Sequence, residues 1–233
     1  MPDLSVIHDP AIDDHLFSGV RDRVLLPEEL AAILPLLVVN GIGENGYLDV
    51  DLSPIALRFI LLVVCRRCEV EDATWEQFDF HHKTWTRKVI CEGREFVVTH
   101  PISNDAIELL KSLPTFQKSA QSSYVFANRS GRKFNNWDRA CDSIKTASRT
   151  SNWHQHDLRR TVSTILSKFG TADPTIDTLL SPKNSFSREN TSNTAAAYIH
   201  LGKLMKGLPD PMRDAVELLA EIIHTIENGD LPH

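Results

Sequence analysis

The stretch SPIALRFILLVVCRRCE, residues 53–69, decides how the rest of the chain is read. Ser53 followed by Pro54 is a helix start: serine caps free backbone N–H groups, and proline's fixed φ suits a first turn. From Ile55 to Val64 only Arg58 interrupts the apolar residues. A helix that is apolar on nearly every side is stable only when buried, so it is expected at the centre of the domain with other helices around it. The run is also well short of the roughly 20 residues that span a bilayer. It breaks off at Cys65, Arg66, Arg67 and Glu69. An arginine at the rim of so apolar an element needs an anionic partner, because desolvating an unpaired charge is unfavourable. Glu69 is one such partner and a phosphate is another.

Working outward, LLPEELAAILPLLVV (residues 25–39) places Leu30, Ile33, Leu34 and Leu37 at helical spacing, with Pro27 in the first turn. GIGENGYLDVDLS (residues 41–53) reads as a loop. Downstream, TWTRKVI (84–90) and REFVVTH (94–100) are rich in β-branched and aromatic residues and flank CEG, which predicts a hairpin. Ser103 caps a helix carrying Ile107, Leu110 and Leu113. Tyr124 to Phe126 is a short buried segment, and Trp137, Cys141 and Ile144 share a helical face. Leu158, Val162, Ile165, Leu166 and Phe169 give the next helix, stopped by Gly170. Asp173 and Pro174 open a short one ending at Leu180. TAAAYIH (194–200) is helical by propensity, and Asp210 with Pro211 opens a last helix through Ile226, apolar at Val216, Leu219, Ile222 and Ile226. That helix is suited either to its own domain or to a neighbouring protomer. The expected fold class is mainly α, of the α+β kind, with a small antiparallel sheet. Residues 1–23 read as an irregular acidic arm and residues 24–233 as one domain.

The totals agree. A chain of 233 residues with 42% hydrophobic content can bury a substantial core. No basic-then-apolar leader opens it. Four cysteines without a disulfide-like ladder suit a reduced, cytoplasmic setting, and Cys65-x-x-Cys68 lacks the second ligand pair a structural zinc needs. The net charge of −6 hides an asymmetry: residues 1–50 carry nine acidic and two basic side chains, whereas residues 81–170 carry fifteen basic and seven acidic. Polyanion binding follows the local field rather than the sum, so the middle of the chain is the candidate contact face.

Within that middle lies WHQHDLRRT, residues 153–161. His156 and Arg159 are three apart and therefore neighbours on one helical face, with Leu158 turned toward the core. Imidazole, guanidinium and the free N–H groups of a helix start together favour an anion. From these residues alone, a solvated helix start pairing with Asp157 is an equal alternative. Tyr198, in AAAYIH, has only small residues before it, which leaves room for something large to approach its phenol.

CRRCE after a buried helix, HDLRRT and AAAYIH together resemble the catalytic domain of the tyrosine recombinases, the phage-type integrases. LLPEELAAIL, TWEQFDFHHKTWT, VVTHPISNDAIELLKSL and YVFANRSGRKF resemble its other segments, so the resemblance runs over residues 24 to 226. It implies a helical domain with a small antiparallel sheet that cuts and rejoins double-stranded DNA through a 3′-phosphotyrosine. Tyr198 would be the nucleophile, Arg66 and Arg159 would clamp the non-bridging oxygens, and His156 would assist proton transfer and phosphate binding. It implies no cofactor and no metal, a homo-oligomer (a tetramer on DNA), no membrane, and a role in moving a phage or other mobile element.

Three departures accompany the resemblance. Ser181 and Pro182 stand where a Gly-His pair is expected, with Lys183 and Asn184 as candidate replacements. The hairpin turn CEG lacks the expected lysine, leaving Lys88 or Arg94. Residues 1–23 cannot replace the DNA-clamping domain that usually precedes this one. The alternative reading is a weakened or inactive DNA-binding relative that regulates a mobile element. A metal-dependent hydrolase using His81, His82, His154 and His156 is a further reading.

Overall fold

The computed structural model describes residues 22–39, 51–91, 94–117, 123–128, 130–134, 136–180 and 210–230. Among them, nine α-helices surround a three-stranded antiparallel sheet: α1 (Pro27–Ile33), α2 (Ser53–Val63), α3 (Arg67–Glu71), β1 (Phe78–Asp79), β2 (Thr84–Cys91), β3 (Arg94–Pro101), α4 (Asn104–Ser112), α5 (Pro114–Gln117), α6 (Trp137–Ser148), α7 (Gln155–Lys168), α8 (Asp173–Leu180) and α9 (Pro211–Glu227). The fold is mainly α with a minor sheet, as the residue pattern predicts.

The apolar run does form the central helix. Ten of the eleven residues of α2 are buried, all but Arg58, and α2 packs against α7, α4, α6, α9 and α3. Each fully buried Leu, Ile or Phe there contributes about 1.5–3 kcal/mol relative to an exposed one. Phe59 carries the aromatic part of the core, with ring centroids 5.5 Å from Trp85 and 5.3 Å from Phe126. α1 is shorter than expected: Pro35 cannot donate a helical hydrogen bond, and Leu34–Leu36 continue as a 3₁₀ turn. Even so, Leu30, Ile33, Leu34 and Leu37 are all buried.

The hairpin pairs Thr84 with Pro101 through to Cys91 with Arg94. Trp85, Arg87 and Val89 face inward, while Thr86 and Lys88 face solvent; such alternation is the rule for a strand. Ser103 caps α4 by accepting from the Ala106 N–H at 3.2 Å. Val125 and Phe126 are buried beside Ala73, whose carbonyl accepts from the Val125 N–H at 2.9 Å. Phe169 differs from expectation. It lies beyond the end of α7 and stays 36% exposed, because Gly170, at φ 82°, turns the chain away there.

The last helix, α9, packs on its own domain, against α8, α1, α7, α2, β3 and α4. Val216, Leu219, Ile222 and Ile226 are buried in that contact. Near its C-terminal end Arg58 of α2 grips Glu227 with two hydrogen bonds, 2.9 and 2.6 Å. In its first turn, Arg213 donates to the carbonyl of His82 at 3.0 Å. Among the described residues no helix is long and apolar enough to cross a membrane.

Candidate active site

The site begins where α2 stops. Val64 caps that helix at φ 57°, ψ 30°, a left-handed conformation that is an outlier for a β-branched residue and costs about 1–3 kcal/mol. The turn sends the chain back on itself and makes Arg66 the N-cap of α3. It also leaves the buried Val64 carbonyl free to accept from Arg159 Nε at 2.9 Å. Arg159 Nη2 donates to the carbonyl of Leu180, the last residue of α8. One guanidinium is thus held by the C-terminal ends of two helices, where unpaired carbonyls and the helix dipole favour a cation. No carboxylate among the described residues forms an ion pair with it, and its Nη1 points to no acceptor among them.

α7 places that arginine. Asp157, buried, accepts from the His154 N–H at 2.9 Å and so caps the helix start. Leu158 is fully buried. Thr161, one turn beyond Asp157, accepts from the Leu25 N–H at 2.9 Å and donates to the Asp157 carbonyl at 2.7 Å. His156 is on the outer side, exposed. Arg160 is at the surface, 2.9 Å from Asp22.

Glu69 is the hub. Its carboxylate, 3% exposed, lies 3.2 Å from Arg66 Nη1 and 3.0 Å from Arg87 Nε, and it accepts from the Arg66 N–H at 3.1 Å. Burial alone would raise its pKa; Arg87, the Arg66 N–H, Arg159 and Arg66 together outweigh that and hold it below the ordinary carboxylate value. Two guanidiniums thus contact this carboxylate, and Arg159, held on backbone carbonyls, adds a third positive charge to its field. Burial, then Arg66, bring Arg159 down to about 10, so it remains charged at neutral pH but is destabilised by its neighbour. His156 is also lowered, by partial desolvation first and then by Arg159 and Arg67. The part of the Arg159 and His156 shifts that comes from neighbouring arginines is what an arriving anion would offset.

Arg66, His156 and Arg159 are thus brought into one electrostatic cluster. Tyr198, Lys183 and Asn184 lie outside the described residues, as do Ser181, Pro182 and the side chain of Arg94. Lys88 sits on the solvent face of the hairpin, 70% exposed and 2.9 Å from Glu95, on the opposite side of β2 from Arg87. Arg87 was not singled out from the sequence. The signal that finds it is the alternation Trp85, Arg87, Val89, which puts it on the inward face. Among the described residues no group of three metal-ligating side chains gathers, around the paired histidines or around Cys65 and Cys68. Burial pushes the Cys65 thiol well up, so it stays protonated.

A family model described as the phage integrase family matches residues 52–203. The chain belongs to the phage integrase family. The span opens just before α2, takes in Arg66, His156, Arg159 and Tyr198, and ends before α9. Among solved structures, this integrase-family chain is similar to the integrase of the Tn1549 transposon in complex with transposon right end DNA: TM-score 0.53, 10% identity, 80% of this chain and 67% of that one. It is also similar to a lambda integrase dimer bound to a COC′ core site: TM-score 0.49, 16% identity, 76% of this chain and 63% of that one. It therefore spans about two thirds of each of those chains. A comparison with curated protein sequences finds no match.

The lowered pKa of His156 gives this integrase-family domain a pH signature. With the folded value below the ordinary 6.5, the unfolded chain takes up the proton first as pH falls. Stability from this group is therefore complete above 6.5 and declines as pH drops below it. The carboxylates act in a separate, lower window: Glu69 and Glu227 are held below 4.5, and their contribution fades as pH falls beneath that value. Urea titrations of the parent are expected to show a first loss of stability just below pH 6.5 that His156→Gln diminishes. A variant with the parent's full pH profile would remove His156 from the cationic cluster.

Proposed function

We propose that residues 24–233 form a tyrosine recombinase catalytic domain that binds double-stranded DNA and cuts and rejoins it through a 3′-phosphotyrosine. The observation that carries this reading is the Arg66 and Arg87 contact on Glu69 beside an Arg159 held, among the described residues, only by backbone carbonyls, with His156 in the same electrostatic field. Such an excess of rigid, partly desolvated guanidinium charge suits a phosphodiester, whose planar pairs of oxygens match the arginine fork. The Tn1549 integrase, whose fold this chain shares, has been seen with its transposon end DNA.

In this reading the Tyr198 hydroxyl attacks the scissile phosphorus, the tyrosyl O–P bond forms, and the P–O5′ bond breaks with the proton passing to the departing 5′-oxygen. Arg66 and Arg159 stabilise the charge that builds on the non-bridging oxygens. His156, neutral at pH 7 before DNA arrives, hydrogen-bonds the phosphate and assists proton movement. The bond energy is kept in the phosphotyrosine, so rejoining needs no cofactor. Assembly is as a tetramer on DNA, in the cytoplasm, in the service of a phage or other mobile element.

A second reading, a weakened relative that binds without cutting, is favoured by the position of Lys88: the hairpin's one lysine within β2 and β3 is on the solvent face. Incubation with a duplex nicked beside the cleavage site separates the two. The first reading expects a covalent protein–DNA adduct whose peptide map assigns the linkage to Tyr198. Salt-dependent binding with no adduct would establish the second, and a linkage at another residue would sink the assignment of Tyr198.

A further inference from the structure

We propose that Arg87 is the positioning residue of the phosphate site: by neutralising and fixing Glu69, it leaves the charge of Arg66 available to the DNA. The inference rests on the phosphate-site reading above and deepens it.

Arg66 is 29% exposed, at the start of a five-residue helix, and its side-chain partner among the described residues is Glu69, at 3.2 Å. With those two groups alone the pair would be neutral, and the guanidinium would be drawn onto its own carboxylate. Arg87 changes that balance. It reaches Glu69 from the sheet side at 3.0 Å, itself 4% exposed. Its Nη2 donates to His100 Nδ1 at 3.2 Å. A guanidinium is only a donor, so Nδ1 carries its lone pair and His100 is the neutral, Nε2–H form. His100 therefore holds Arg87 without cancelling its charge. Trp85 lies beneath the guanidinium, with Cζ 4.3 Å from a ring centroid, and fixes its plane. The sequence runs His100, Arg87, Glu69, Arg66, from the core to the surface.

Stability alone does not account for this arrangement. Arg87 Nη1 is buried without a hydrogen-bond partner among the described residues, and a donor left in that state is unfavourable. Buried ion pairs are often no more stable than apolar residues of similar size. What Arg87 supplies, and an apolar residue would not, is one unit of positive charge behind the carboxylate that would otherwise neutralise Arg66.

The test is the salt dependence of binding to a short duplex by the full chain, for the parent, Arg66→Ala, Arg87→Met and Arg87→Lys, each checked for folding by circular dichroism. Each phosphate neutralised contributes about 0.9 to the slope of log K against log salt. Arg87→Met is expected to lose about one unit of slope and to bind about tenfold more weakly, whereas Arg87→Lys keeps the parent's slope because it keeps the charge. Arg66→Ala loses a similar amount. If Arg66→Ala loses slope but folded Arg87→Met does not, the positioning role is wrong and the phosphate site stands. If the parent shows no salt-dependent binding, or Arg66→Ala matches it, the phosphate-site reading itself fails. Loss of slope in Arg87→Lys, or failure of both Arg87 variants to fold, would overturn the proposal by making Arg87 a purely structural element.

Discussion

Arg159→Lys is expected to slow covalent adduct formation by about 10²–10³-fold while leaving the domain folded. The size of the effect follows from how the side chain is held. Nε is engaged by the Val64 carbonyl and Nη2 by the Leu180 carbonyl, which fixes the plane of the fork. A lysine has one nitrogen on a flexible stem. It can satisfy one of the two helix ends or reach the phosphate, and not all three together. The ground-state charge survives, so duplex affinity changes much less than rate; that split identifies an interaction made mainly in the transition state. Single-turnover rates on the nicked duplex, with binding measured in parallel, give both numbers. Equal losses in affinity and rate would mean that Arg159 serves only to attract DNA.

Leu158→Ala carries the largest expected effect on stability, about 2–5 kcal/mol, as for other fully buried leucines. In a domain of this size each kcal/mol corresponds to about 2–4 °C in Tm. Leu158 is completely buried and sits between His156 and Arg159 on the helix that packs against α2. A cavity there loosens the seat of both site residues. The control is Leu26→Ala, at a position 59% exposed, expected to stay within about 0.5 kcal/mol of the parent. Thermal melts that fail to separate the two variants would show that α7 is not anchored through Leu158.

The elements that were legible in the sequence share a physical cause. α2 and α7 announce themselves because burial demands a long apolar pattern, α4 and α9 because Ser103 and Asp210 stand where caps are needed, and α8 because Asp173 and Pro174 suit a first turn. The five-residue helix α3 was invisible: Arg67 to Glu71 is too short for a period, and what makes it a helix is the chain reversal at Val64. Arg66, His156 and Arg159 could be named because their types and spacing are unusual. Arg87 could not, because its partner Glu69 is eighteen residues away and pairing of that kind is set by sheet register rather than by local pattern. The same register turned Lys88 outward. One residue's shift along a strand exchanges the two faces, so hairpin chemistry is the least readable part of such a site.

Leu180 has two roles. Its carbonyl holds Arg159, and it is the residue from which the chain continues toward Tyr198, eighteen positions later. In the proposed chemistry the electrophile's grip and the nucleophile's leash are tied to the same peg. Loss of that one carbonyl contact would leave the guanidinium anchored, among the described residues, by Val64 alone.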